Sequence, residues 1–305
     1  MTIFQQPFWL DAVAPGQWHR VEIRRGETLH AFLPYVLKRE AFGRHALVMP
    51  PLTQTLGPWF APHSAKYVTQ LSRQHELMTE LIELLPPFDY FRQNFHYSIT
   101  NWLPFYWKGF QQTTRYTYVI EDLTDLNAVW KETRQNIRTD VRKARKELVV
   151  RDDLGLDVFL NLNEMTFKRQ GRSLPYSREL VSRLDKACKE HGQRKILFAE
   201  DAQGRLHAGA YIVWDEQSAY YLMGGSDHEL RNSGATSLLI WEAIQFAATV
   251  TQSFDFEGSM IESVERFFRS FGARQKPYLQ VSKTNSLLLK IRQDVRTWLE
   301  LWRGR

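Results

Sequence analysis

The feature that most narrows what this chain can fold into is a strand that ends in two glycines and leads, through a short basic loop, into a long apolar helix. Tyr220-Tyr221-Leu222-Met223-Gly224-Gly225-Ser226 is followed by Arg231-Asn232-Ser233-Gly234-Ala235-Thr236, and a helix is expected over residues 233–250. The first turn of a helix leaves N–H groups without partners beside the positive end of the helix dipole, so such a junction holds phosphate oxygens well. Gly234 lets the backbone approach a ligand closely, and Arg231 adds a charged donor. The same residues read equally well as a glycine-rich turn capped by Asn232 or Ser233, because a short glycine pattern is a weak signal.

Around this junction the expected elements follow an α+β order. Residues 123–148 read as one long basic helix, 149–151 as a short strand, and 157–168 and 177–191 as helices. Strands follow at 196–200, 205–214 and 219–223, joined by turn-forming residues, then a strand at 253–257, a helix at 262–271 and a last strand at 278–283. Earlier in the chain, 18–24, 29–37 and 114–120 read as strands, and 67–85 as an amphipathic helix stopped by Pro86-Pro87. Length and pattern divide the chain into 1–115 and 116–305.

This order of hairpin, strand, loop, helix, strand and helix resembles the core of the GNAT acyltransferase superfamily. The pyrophosphate loop of that superfamily is written Gln/Arg-x-x-Gly-x-Gly/Ala; here Arg231 and Gly234 match and Thr236 departs. Residues 115–285 also resemble the FemAB-like peptidyl and aminoacyl transferases. Phe254-Asp255-Phe256-Glu257-Gly258, followed by Val264-Glu265-Arg266-Phe267-Phe268-Arg269-Ser270-Phe271-Gly272, is similar to their Asp-Phe-x-Gly strand and Arg/Tyr-x-Phe-Lys-x-x-Phe-Gly helix. Arg134-Gln135-Asn136-Ile137-Arg138 with Arg142-Lys143-Ala144 is similar to their Arg-x-Asn-Ile-Arg and Lys-Ala helix.

The resemblance implies tandem GNAT-like domains with mixed, mostly antiparallel sheets flanked by helices, in which residues 1–115 are a degenerate first half and the acceptor lies between the halves. It implies N-acyl transfer, with acyl-CoA or an aminoacyl-tRNA as co-substrate and no tightly bound cofactor. The acceptor it implies is an anionic, amine-bearing molecule such as a peptidoglycan or cell-surface precursor. Gly224, Gly225, Arg231, Gly234 and Ala235 become the donor-binding candidates, and Asn136, Arg138 and Arg142 the acceptor-binding ones.

Acyl transfer to an amine requires a neutral amine, a polarised donor carbonyl and close positioning of both, but no dedicated nucleophile. The sequence shows no convincing Gly-x-Ser-x-Gly elbow or Cys/His pairing, and Cys188 lies in a charged helix that suits an inert thiol. Asp255 and Glu257 alternate with Phe254 and Phe256, so the two carboxylates share one strand face. Glu257 adjoins Gly258 at the strand end, where sites open, and is a candidate proton acceptor; it reads equally as solvated or paired with arginine. Arg266 and Arg269 are candidates for stabilising the acyl oxygen, Arg269 fitting the family's cation best, and both also read as a solvated helix face. Tyr220 and Tyr221 offer a phenol near the donor or simply fill the core. Arg134, Arg138, Arg142 and Arg145 fall on one helix face, a stripe that repels itself unless an anion or acidic surface lies against it.

Charge and cysteine content set the remaining bounds. Forty Lys and Arg against thirty-four Asp and Glu leave +6, which attracts anionic partners without requiring nucleic acid. The basic balance, the arginine stripe and the aromatic run from Trp102 to Trp107 carry an alternative reading as an RNA-binding protein without catalysis, although no helix-turn-helix, RNA-recognition or zinc-finger pattern is present and DNA is not expected as a partner. The nine histidines are scattered, so no metal is expected. One cysteine and no secretory pattern suggest a cytoplasmic protein. Leu288, Ile291, Val295, Trp298 and Trp302, flanked by Lys290, Arg292, Arg296 and Arg303, form an apolar stripe that suits either the protein's own surface or the inner face of an anionic membrane.

Overall fold

Alternation along the strands explains why helices cover both faces of the sheet. The computed structural model describes residues 1–39, 43–169, 171–258 and 260–286; the stripe from Leu288 to Trp302 lies outside them. The strands are β1 (Trp18–Arg25), β2 (Thr28–Arg39), β3 (His45–Val48), β4 (Trp59–Phe60), β5 (Tyr90–Asn94), β6 (Gln111–Ile120), β7 (Leu148–Arg151), β8 (Arg194–Asp201), β9 (Leu206–Trp214), β10 (Ser218–Ser226), β11 (Ser253–Asp255) and β12 (Arg274–Thr284). The helices are α1 (Pro7–Val13), α2 (Tyr67–Glu83), α3 (Leu103–Trp107), α4 (Leu126–Glu132), α5 (Gln135–Glu147), α6 (Leu156–Arg169), α7 (Arg178–Glu190), α8 (Ala235–Ala247) and α9 (Glu262–Arg269).

Leu197, Ala199, Ala208, Ala210 and Ile212 are buried with the apolar residues of α5 and α8, whereas Ile196, Phe198, Tyr211 and Val213 are buried with those of α1, α6 and α7. Neighbouring residues of β8 and β9 therefore face opposite helical layers. This is why residues 208–214 read as a continuous apolar run rather than as an alternating one. Ile3, Phe4 and Trp9, at the start of the chain, belong to the second of these clusters, and the Phe4 ring lies 4.8 Å from that of Tyr220.

All twelve strands join one mixed, mostly antiparallel sheet in the order β1-β2-β3-β5-β12-β6-β11-β10-β9-β8-β7, with β4 beside β2. Residue 115 falls inside β6, and β12, late in the sequence, lies between β5 and β6. Its register runs from Arg274 opposite Val119 to Ser282 opposite Gln111, and it also pairs Gln280 with Asn94. Two pairs are parallel, β3 with β5 and β10 with β11.

The helix expected over 123–148 is broken in two. Asp125 caps α4 through the amides of Asn127 and Ala128. Thr133 then turns extended, its hydroxyl donating to the Phe271 carbonyl at 3.2 Å, while the Arg134 amide donates to the Ser270 carbonyl at 2.8 Å. The Arg134 bond takes a backbone N–H that a continuous helix would need, and the Thr133 hydroxyl fixes the turn to the same distant segment. No helix among the described residues is long and apolar enough to cross a membrane.

Candidate active site

The parallel pair β10 and β11 is in register only from Ser218 to Tyr220, opposite Ser253 to Asp255, so residues 221–226 leave β11 behind and a groove opens. Leu222 is an extra residue between Tyr221, paired with Ile212, and Met223, paired with Tyr211, and this bulge bends the strand at the groove. The groove encloses about 540 Å³ between residues 221–226 on one side and Val264, Phe267 and Phe268 of α9 on the other, with Asn163, Tyr176 and Thr236 at its edges. Asn163 donates to the Gly224 carbonyl at 2.6 Å and accepts from the Tyr176 hydroxyl at 2.9 Å.

The two glycines have different reasons to be there. A Cβ on Gly225 would sit 2.5 Å from the Asn163 backbone nitrogen and 2.6 Å from the Leu162 carbonyl carbon, so only glycine lets α6 lie this close to β10. At Gly224 the obstacle is the tip of the Tyr221 side chain. Gly234 caps α8 in the left-handed region, with φ +77, and its α-carbon faces the Asp140 carbonyl of α5. Ala235 is buried, Thr236 reaches the groove, Arg231 is exposed, and Lys143 donates to the Asn232 carbonyl at 3.4 Å. Arg231 of the loop and Lys143 of α5, which reaches the loop, thus place two cations near the first turn of α8.

Glu257 stands where β11 ends. It adopts φ +57, in the left-handed region that a side chain with a Cβ rarely enters, and Gly258 follows at φ +59. The Glu257 residue is half-buried, but its Oε1 is fully buried and has no hydrogen-bond partner. Burial, and then the neighbouring Asp255, push its carboxyl well above the ordinary carboxylate range. Asp255 is itself buried; its Oδ1 accepts from the Thr117 hydroxyl and from the Glu257 amide. Burial raises it to about 7 against the downward pull of those two bonds. Glu257 also lines a second pocket of about 340 Å³ with Gln54, Asn94, Arg115, Gly258 and Tyr278. On its other side it helps, after burial, to raise the Tyr176 phenol to about 12. Glu257 therefore lines the pocket, and its charge is felt by Tyr176 at the edge of the groove.

Arg266 and Arg269 stand elsewhere. They pair with Glu262 at 2.7 Å and Glu265 at 2.9 Å on the outer face of α9, and neither lines the groove or the pocket. Counting back from Phe271-Gly272, the lysine of the resembled motif falls on Phe268, which is buried and faces the groove beside Tyr221 and Phe256. Asn136 is exposed, and Arg138 donates to Gln135 at 2.9 Å while its Nε is buried without a partner. Arg142 lies 5.9 Å from the Trp130 ring centre, and Arg145 pairs with Glu242 at 2.7 Å. None of Asn136, Arg138 and Arg142 reaches the groove or the pocket. The groups brought together instead, Asn163, Tyr176, Arg115 and Gln54, were not singled out from the sequence. Arg115, the one charged residue of β6, carried a visible signal; Asn163 and Tyr176 carried none.

Residues 131–269, which contain the split strands, the bulge and the glycine-led helix, match the model of the acetyltransferase (GNAT) domain family. That segment is similar to a GNAT domain. Around that domain the whole fold is similar to solved structures of low sequence identity. The FemX structure is 13% identical, with 91% of each chain covered and a TM-score of 0.67. The C-terminal domain (DUF2156) of a putative lysylphosphatidylglycerol synthetase from Agrobacterium fabrum is 13% identical, with 97% of this chain and 93% of that one covered and a TM-score of 0.55. A tandem GNAT protein from the clavulanic acid biosynthesis pathway is 10% identical, covers 91% and 86%, and has a TM-score of 0.54. Comparison with curated protein sequences gives no match. The fold is therefore similar to that of the FemX and tandem GNAT structures, and the groove between β10 and β11 lies within the residues that match the GNAT domain model.

Proposed function

We propose that the protein transfers an acyl group from a thioester of the acyl-CoA type, lying in the β10/β11 groove, to an amine that arrives through the Glu257 pocket. The observation that carries this reading is the buried, partnerless oxygen of Glu257 in the lining of the pocket, with Tyr176 at the edge of the groove feeling its charge. A carboxyl with a raised pKa is matched to take the proton of an incoming ammonium. The freed amine then attacks the thioester carbon, the carbon–sulfur bond breaks, an amide forms, and the thiol leaves protonated. The unpaired backbone at the Leu222 bulge is the candidate donor to the carbonyl oxygen as it gains charge. Arg231, Lys143 and the first turn of α8 suit the donor's phosphates, and the apolar wall of Val264, Phe267 and Phe268 suits its acyl arm.

An acyl-CoA donor is favoured over an aminoacyl-tRNA because the cationic face that a large polyanion would use is partly consumed within the protein, Arg145 by Glu242 and Gln245 and Arg142 by Trp130. In this reading residues 1–115 are the degenerate first half and supply the acceptor wall through Gln54 and Asn94. The test is to incubate the protein with acetyl-CoA and longer acyl-CoAs and a panel of amines, cell-wall precursors included, and to follow thiol release. Amine-dependent release supports the reading; transfer from aminoacyl-tRNA with none from any acyl-CoA overturns it.

A further inference from the structure

The pocket beside Glu257 is chemically two-sided. Its lining includes the buried carboxyl oxygen of Glu257, an acceptor with no partner. Arg115 also lines it; the Arg115 Nε donates to the Tyr278 hydroxyl at 3.3 Å, and no carboxylate among the described residues lies within ion-pair distance of its guanidinium. Gln54, in the same lining, brings a second buried orphan, the amide nitrogen Nε2, which is a donor. A half-buried guanidinium left without an anion and a buried amide N–H left without an acceptor are each costly, and both are relieved by the same kind of group, a carboxylate. The orphan oxygen of Glu257 is relieved by an ammonium. Arg115 and Glu257 do not pair with each other, so the pocket keeps opposite polarities apart within about 340 Å³, a space for a small molecule.

We propose that this pocket binds a free amino acid, with its carboxylate held by Arg115 and Gln54 and its amine presented to Glu257. This rests on the acyl-transfer reading for the fate of the amine but not for the binding itself. A guanidinium meets a carboxylate through two parallel N–H donors, which fixes the acceptor's orientation as well as its charge. The product is then an N-acyl amino acid, its amide bond formed from the amine nitrogen and the donor's acyl carbon, with the amine proton passing to Glu257.

The test measures binding first, by calorimetry with the full chain and no donor. Glycine, β-alanine, γ-aminobutyrate and lysine are compared with their methyl esters and with ethylamine and cadaverine. The expected result is saturable binding of at least one free acid, at least about tenfold tighter than its ester, as a charge-assisted contact of this kind gives. In Arg115→Met, which keeps the length of the side chain, that preference falls to about one, and Arg115→Lys recovers part of it. Melting curves confirm that both variants are folded. Esters and simple amines that bind as tightly as the acids, an undiminished preference in Arg115→Met, or no binding of any acid would overturn the proposal. Amino-acid binding with no turnover from any acyl-CoA keeps this inference and removes the acyl-CoA reading, whereas turnover of simple amines with no amino-acid binding does the reverse.

Discussion

The backbone amide of Glu257 donates to Oδ1 of Asp255 at 2.8 Å, so one carboxyl of the pair is held by the main chain of the residue that carries the other. The bond closes a tight turn at the end of β11 and places Glu257 in the left-handed region. Strain of this kind, at a buried and partnerless acid, is what a site retained for chemistry looks like. Glu257→Gly should therefore raise stability by about 1 kcal/mol, because glycine enters that region freely, while abolishing transfer. Denaturant melts of the variant check the first half of this expectation. A loss of stability would mean that the Glu257 side chain holds the fold together.

Asp255 gives the pair a pH signature. Its carboxyl lies near its ordinary value in the unfolded chain and is raised to about 7 in the folded one, so the native state holds the extra proton between those values. The stabilisation is complete below about pH 4 and is lost as the pH rises through about 7. Asp255→Asn keeps an oxygen to accept from Thr117 and from the Glu257 amide, and it cannot ionise. The variant should gain melting temperature relative to the parent as the pH goes from 5 to 8. Parallel melting curves across that range would contradict the account.

The adjacent glycines should behave differently when each is changed to alanine. At Gly225 the new methyl meets backbone atoms of Leu162 and Asn163, which move only with the whole of α6, so a loss of about 1–3 kcal/mol is expected. At Gly224 it meets only the Tyr221 hydroxyl tip, so the fold should persist while the groove changes shape and the KM for the donor rises. Thermal melts and donor titrations of the two variants separate these outcomes.

Arg266→Ala should leave stability within about 0.5 kcal/mol and transfer nearly unchanged, because the exposed pair with Glu262 contributes little. Phe268→Ala opens a cavity at the groove wall and should cost about 3 kcal/mol. Paired melts and rate measurements of the two variants give the comparison.

Much of this site was legible because its elements are local. A strand, two glycines and a capped apolar helix leave their pattern within thirty residues, and the structure forms β10 and α8 there. The place of Glu257 at the end of β11 was legible for the same reason, since Gly258 follows it. The pairing of β12 with β5 and β6 left no local trace, since strand register across more than 150 residues depends on what the rest of the chain covers. One position along α9 turns a side chain by about 100°, enough to exchange the groove-facing Phe268 for the outward Arg269. The arginine stripe suggested an external anion because its partners, Glu242 and Trp130, lie on other helices. Cys188, read as inert, is buried with its thiol pushed up to about 12 by that burial, and it should resist thiol reagents at pH 8 until the protein unfolds.

The most direct measurement is the steady-state rate of acyl transfer from an acyl-CoA to an amine in Glu257→Gln beside the parent, with the melting temperature of each taken in the same buffer. The account predicts that kcat falls by at least about 100-fold, the contribution of one well-placed proton acceptor, while the variant melts no lower than the parent because a buried, partnerless acid has been replaced by a neutral amide. A variant that transfers acyl groups at the parental rate would contradict it.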